Sequence, residues 1–160
     1  MGHDAAGTTR DFTATTFVVR DDKTILLWHK KMQAWLPPGG HIDPDELPDD
    51  AAAREVQEET GLEIDLQGTS GLWGTVRVLH QPHCILLEDI SPGHQHIDLV
   101  YFARARERSQ VRLAKAEAAD YRWFDSDDLA ASEIAEDIRI LGRRAIAEIS
   151  QAHAGPGEED

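Results

Sequence analysis

Apolar and polar positions alternate from Phe12 to Arg20, a stretch rich in threonine and valine, and this two-residue period predicts a β-strand. Asp21-Asp22-Lys23 supplies a turn and Thr24 to Trp28 a second strand, so the pattern opens with a hairpin. A polar loop, His29 to Ala34, leads to Trp35-Leu36-Pro37-Pro38-Gly39-Gly40. Its two prolines fix the backbone, and its two glycines then free it to turn a carbonyl toward a ligand. The period changes at Pro48. From there to Thr60 the spacing is helical. Proline suits the first helical position, Asp49 and Asp50 complement the positive end of the dipole, and Gly61 stands where a left-handed cap belongs. Leu47, just before, is a poor N-cap that leaves this end loosely fixed.

Short strands are expected at Glu63 to Leu66, Val76 to Leu79 and His83 to Leu87, with a glycine-rich connection over Gln67 to Gly74. Ser91-Pro92-Gly93 reads as a turn and Ile97 to Ala105 as a strong strand. Arg106 to Ala119 is a polar, irregular loop, and Tyr121 to Phe124 is the last strand. Ser126 is placed as an N-cap ahead of Asp127-Asp128-Leu129. Ile134, Ile138, Leu141, Ala145 and Ile149 then recur at helical spacing, predicting a long C-terminal helix packed back on the sheet. Strand pairs around a central helix, with a second helix at the end, define an α/β chain with a mixed sheet between helices. Residues 1–10 are expected to form a flexible leader, 11–152 a single domain and 153–160 a disordered acidic tail.

Charge narrows the partners. A net charge of −14 over 160 residues argues against a general nucleic-acid-binding surface, which would need lysines and arginines for phosphates. No run of 18 apolar residues is present, and the first residues lack the basic-then-apolar order of an export signal. The expectation is a cytoplasmic protein with no membrane partner. The single Cys84 permits no internal disulfide, which fits a reducing compartment, and its apolar neighbours favour a packed thiol over a nucleophile.

The chemistry concentrates on the predicted central helix. At about 100° per residue, Glu55, Glu58 and Glu59 fall within an arc of roughly 100°, with Arg54 at its edge and Ala51 inside it. Val56, Ala52 and Ala53 lie opposite and supply the face to bury. Three carboxylates on one face repel one another, and only Arg54 is interleaved to relieve them. A hard divalent cation among them resolves the conflict; an all-oxygen set favours Mg²⁺, with Mn²⁺ as a substitute.

Gly40, Glu46, Arg54, Glu55, Val56, Glu58, Glu59, Gly61 and Leu62 stand at the spacing G-x5-E-x7-R-E-aliphatic-x-E-E-x-G-aliphatic. This stretch resembles the Nudix box at every defined position, a match expected by chance in about one of 10⁷ chains of this length. The resemblance, which extends through Trp123 and Leu129, implies an α/β/α sandwich. It also implies a metal-dependent pyrophosphohydrolase that cleaves a nucleoside diphosphate linked to another moiety by water attack on phosphorus. By resemblance, Glu58 and Glu59 are metal ligands, Glu55 a ligand or the general base, and the carbonyl of Gly39 a further ligand. Arg54 orients the neighbouring glutamate, and Glu46 supports the loop or an outer metal shell. Glu117, ahead of the last strand, is a candidate extra ligand or base by the same resemblance, against the plainer reading of an exposed loop acid.

Several residues stay open. His94, His96 and Asp98 alternate and so share one side of a strand, either lining a cavity, holding a transition metal or facing solvent. His96 and Asp98 are carried as candidate substrate contacts, together with His41 after the double glycine and Lys30 in the preceding loop. Lys31 and Arg77 are weaker candidates for phosphate. The proline and tyrosine signatures of the ADP-ribose and diadenosine polyphosphate subfamilies are missing after the box. That leaves a nucleoside triphosphate or oxidised nucleotide as the favoured substrate, with RNA-end cleavage disfavoured by charge. The competing class is a Nudix-type sensor that binds a nucleotide without turning it over. Dimers are frequent in the family, but the sequence displays no interface.

Overall fold

The computed structural model describes residues 7–153. β1 (Thr9–Arg20) and β2 (Lys23–His29) form the expected hairpin through Asp21 and Asp22, both at positive φ. β1 begins at Thr9, so Thr9 and Arg10, assigned above to a leader, are paired in the sheet. His153, assigned above to the tail, instead ends the last helix; the leader through residue 6 and the tail from residue 154 lie outside the described residues.

The approach to the double glycine is more regular than its composition implies. β3 (Ala34–Leu36) pairs with β2, and β4 (Gly39–His41) pairs with β1, so the Pro37-Pro38 segment steps between two strands. α1 (Pro48–Thr60) has the predicted bounds, Pro48 in its first turn, no side-chain cap at Leu47, and Gly61 at φ 73° closing it with an N–H donated to the Gln57 carbonyl. Its open N-terminal end is nonetheless anchored. The Asp49 carboxylate, 5% exposed, accepts from its neighbour's backbone N–H (Asp50, 3.1 Å) and from the His80 N–H at 3.3 Å.

β5 (Ile64–Leu66) follows, then a separate hairpin of β6 (Gly71–Trp73) and β7 (Val76–Val78) where only a connection was expected before Val76. β8 (Cys84–Ser91) runs antiparallel to β9 (His94–Ala105), and β10 (Ala118–Phe124) pairs with β2. A short 3₁₀ turn (Asp128–Ala130) precedes α2 (Glu136–His153). Ser126 does not cap that turn. The Asp125 carboxylate accepts the N–H groups of Asp127 and Asp128, and Ser126 instead gives its carbonyl to Arg143.

The main sheet runs β10-β2-β1-β9-β5, with β3, β4 and β8 added on β2, β1 and β9. β1 and β9 are parallel over eleven residue pairs and the other neighbours are antiparallel, so the sheet is mixed. Strand alternation divides its two faces. Phe17, Val19, Leu26, Val100, Phe102 and Phe124 pack against Ile138, Leu141, Ala145 and Ile149 of α2. Val18, Ile25 and Leu27 pack against Val56, while Ala14 and Tyr101 meet Ala51 and Ala52. The result is an α/β/α sandwich. One helical assignment changes: Ala51 is fully buried and Ala53 only half-buried. On the carboxylate face of α1, Glu55 and Glu59 lie against Gly40 and Gly39 while Glu58 stays exposed, so Ala51 at the margin of that face is covered.

Candidate active site

Pairing of β4 with β1 brings Gly39 and Gly40 beside Thr15 and Ala14, directly beneath α1. A methyl group on Gly40 would lie 2.5 Å from the Glu55 carboxyl carbon, so only glycine lets the carboxylate descend onto this backbone. Gly39 donates its N–H to Glu59 Oε2 at 3.3 Å. The double glycine thus forms the floor under two of the three helix glutamates.

Arg54 holds the arrangement from the side. Its Nε and Nη2 donate to both oxygens of Glu46 at 2.6 and 2.8 Å, and Nη1 donates to Glu55 (2.8 Å) and Glu58 (3.1 Å). Nη2 also donates to the His41 carbonyl at 3.0 Å. This is a fork spanning three carboxylates and the end of β4, well beyond a lone surface ion pair. The Arg54 guanidinium holds Glu46 below the usual carboxylate range.

The cavity beside this cluster has a volume of about 510 Å³. Glu55, Glu58 and Glu59 line it together with Gly39, Gly40, His41, His96, Asp98 and Glu117. Glu117 is therefore a cavity residue, brought in by the segment ahead of β10. Lys30 is not. Its ammonium group donates to the Lys115 carbonyl and its N–H to the Glu117 carbonyl (2.9 Å), so this lysine fastens the Glu117 segment. Lys31 and Arg77 do not line the cavity either; Arg77 sits on the exposed β6-β7 hairpin.

Asp98, 3% exposed, accepts hydrogen bonds from the hydroxyls of Thr13 (2.8 Å) and Thr15 (3.0 Å). Burial pushes its carboxyl up and the two threonines pull it back. Sequence reasoning missed Glu88, Asp137 and His29, all of which line the cavity. Glu88 is pushed up to about 7 by burial and then by Asp98 and Asp137. A signal for it existed, because Glu88 keeps the parity of Cys84 and Leu86 on β8 and so must point inward if they do. Cys84 itself packs at the edge of the α2-side core, and burial raises its thiol, as a packed side chain requires.

Among the glutamates, Glu59 is pushed up to about 8, first by burial, then by Glu55, against the Gly39 N–H that lowers it. Glu55 is raised by burial despite its bond to Arg54. Clustered, partly desolvated carboxyls with raised proton affinity are a fitting cradle for a hard divalent ion, which would replace the proton. A stability signature follows. In the unfolded chain Glu59 returns to about 4.3, so the folded state alone keeps a proton between that value and about 8. The stability it confers is complete below the unfolded value and is lost as pH rises through about 8, and Glu88 acts in the same direction. The melting temperature of chelator-treated protein is expected to fall between about pH 5 and pH 8, and Mg²⁺ to restore part of the loss in wild type but not in Glu59→Gln. Calorimetry across that range decides it; a flat profile in chelator would refute the coupling.

The fold and this helix-on-glycine cluster define a family. The sequence profile of the NUDIX domain matches residues 10–144, and the chain belongs to the NUDIX family of hydrolases, whose members use divalent metal ions. The chain is 44% identical over 147 residues to the RNA pyrophosphohydrolase of Pseudomonas putida (strain GB-1), covering 83% of this chain and 87% of that protein. It is 28% identical over 138 residues to the m7GpppN-mRNA hydrolase NUDT17 of Bos taurus, an alignment covering 79% of this chain but only 45% of that longer protein. Among solved structures, a NUDIX-family hydrolase from Clostridium perfringens superposes with a TM-score of 0.78 at 33% identity, covering 88% of this chain and 99% of the other. No helix among the described residues is long and apolar enough to cross a membrane.

Proposed function

We propose that this protein is a metal-dependent pyrophosphohydrolase that cleaves a nucleoside diphosphate linked to another group, releasing a nucleoside monophosphate by water attack on phosphorus. The observation that carries this reading is the convergence of Glu55, Glu58, Glu59 and Glu117 on one cavity over the Gly39-Gly40 floor. Glu55, Glu58, Glu59 and the Gly39 carbonyl would hold Mg²⁺, with Mn²⁺ as a substitute. When bound, the ion supplies charge neutralisation to the diphosphate and lowers the proton affinity of nearby water.

The chain's own groups do the rest. Arg54 keeps Glu55 and Glu58 oriented and holds β4 through the His41 carbonyl. Glu55 or Glu117 accepts the proton of the attacking water, since both face the cavity and neither is consumed by a structural bond to the sheet. The inner carboxyls Glu88, Asp98 and Asp137 can accept hydrogen bonds, so the group entering there presents N–H or O–H donors, as a nucleobase or ribose does.

A free nucleoside triphosphate or oxidised nucleotide satisfies these demands. A second reading, the same cleavage at a 5′-phosphorylated RNA end, draws support from the names of the Pseudomonas and bovine relatives. Net charge −14 restricts that reading to recognition of the end itself, with little grip on the following strand. The test is product release with Mg²⁺, with and without chelator. Its substrates are deoxynucleoside triphosphates, an oxidised dGTP, ADP-ribose, dinucleoside polyphosphates and a 5′-triphosphorylated RNA. Chelator-sensitive cleavage of one class is expected, and competition between RNA and free nucleotide then separates the two readings. Tight nucleotide binding with no turnover on any substrate would replace the enzyme by a sensor.

A further inference from the structure

The strand register gathers a second set of metal-binding side chains outside the glutamate cluster. Asp11 of β1 pairs with His96 of β9, and Thr13, two residues on, pairs with His41 of β4. Asp11, Thr13, His94 and His96 hold the parity of Thr15, Phe17 and Val100, so these side chains emerge on one face, at the rim of the cavity. We propose that Asp11, His41 and His96 form a binding site for a borderline divalent ion such as Zn²⁺, distinct from the hard-ion cluster on α1.

One donor atom from each of the three residues lies within 4.8 Å of the others, and His41 Nε2 stands 3.4 Å from Asp11 Oδ2. Ligands about 2.0–2.1 Å from a tetrahedral zinc ion stand about 3.3 Å from one another, so this edge already has the required length. His94 completes the surround: its Nε2 lies 3.4 Å from the same Asp11 oxygen while its Nδ1 bonds the Thr9 hydroxyl at 2.9 Å. Two imidazoles and one carboxylate select against Mg²⁺, which prefers oxygen, and toward Zn²⁺, Co²⁺ or Ni²⁺. Three protein ligands leave a fourth position open on the side where His41 and His96 line the cavity. Among the described residues no Lys or Arg lines that cavity, so an ion here would bring positive charge within reach of a phosphate-bearing ligand.

The alternative is a set of histidines paired with Asp11 and no ion. Titration calorimetry with Zn²⁺ and the visible spectrum of added Co²⁺, both under saturating Mg²⁺, discriminate. Wild type and Glu59→Gln are expected to take up one equivalent with a four-coordinate Co²⁺ band. The double variant His41→Gln/His96→Gln should lose more than the roughly 10–100-fold that removal of a supporting group costs. His41 is exposed and His96 half-buried, so the double variant should fold, and its far-ultraviolet circular dichroism checks this. Should it misfold, Asp11→Asn, at an exposed position, gives the same reading. Absence of a stoichiometric equivalent under Mg²⁺ overturns the site. So does an equivalent that vanishes in Glu59→Gln and survives in the histidine variant, because the ion then belongs to the glutamates.

Discussion

Glu58→Gln is expected to lower turnover by about 10³-fold while leaving the melting temperature within a degree or two of wild type. The two halves of this result have separate causes. The Glu58 side chain is 60% exposed, and among the described residues it accepts only from Arg54, at 3.1 Å, so the fold loses little when the charge is removed. Glutamine keeps the shape and an acceptor oxygen but not the negative charge that a divalent ion and the developing transition state require. Steady-state kinetics over a Mg²⁺ series, paired with calorimetry, read both. Activity preserved within a few-fold at all Mg²⁺ concentrations would remove Glu58 from the proposed metal set.

Arg54→Ala should fail in the opposite manner, on stability and activity together. It removes the shared donor of Glu46, Glu55 and Glu58, leaving the two little-exposed carboxylates Glu46 and Glu55 without their cation and Glu55 beside the charge of Glu58. Breaking a buried pair costs about 3–5 kcal/mol. Partial exposure of this cluster reduces that to about 2 kcal/mol, a fall of about 4–8 °C for a chain of this size. Arg54→Lys is not expected to rescue it, since one ammonium cannot reproduce the planar fork to Glu46 while also reaching Glu55. Mg²⁺ should recover more stability in Arg54→Ala than in wild type, because added positive charge there relieves the repulsion that the guanidinium had relieved. Equal Mg²⁺ stabilisation of both proteins would show that Arg54 and the ion do not share these carboxylates.

What the residues disclosed on their own depended on whether the signal was local. The bounds of α1 were legible because Pro48, the first-turn aspartates and Gly61 all mark a helix within a few positions of where it starts and stops. The crowding of Glu55, Glu58 and Glu59 was legible for the same reason, since helical geometry alone sets it. β3 and β4 were not, because prolines and glycines read as a loop and only pairing with β2 and β1 makes those residues extended. Ser126 looked like the better cap, yet Asp125 took the role once the turn tightened to 3₁₀ spacing. Lys30 illustrates the sharper limit. Its type suited phosphate, while its direction was decided by the carbonyl of Lys115, 85 residues away. Glu88, Asp137 and His29 became cavity residues only through convergence of β8, α2 and β2.

The parallel contact between β1 and β9 also governs the order in which the protein can become itself. Thr9 and His94, the first of the eleven pairs, stand 85 positions apart, and nearly every other strand and all of α1 lie in the intervening loop. Such a closure is entropically expensive and is rewarded only when both strands are present, which places the chain with slow, topologically non-local folders. During synthesis the ribosome would therefore release a segment bearing all the α1 glutamates well before β9 exists to wall the cavity with His96 and Asp98. A nascent chain stalled ahead of His94 would carry the complete acidic helix and no chamber around it. The chamber would close late, once β9, the Glu117 segment and α2 have all emerged.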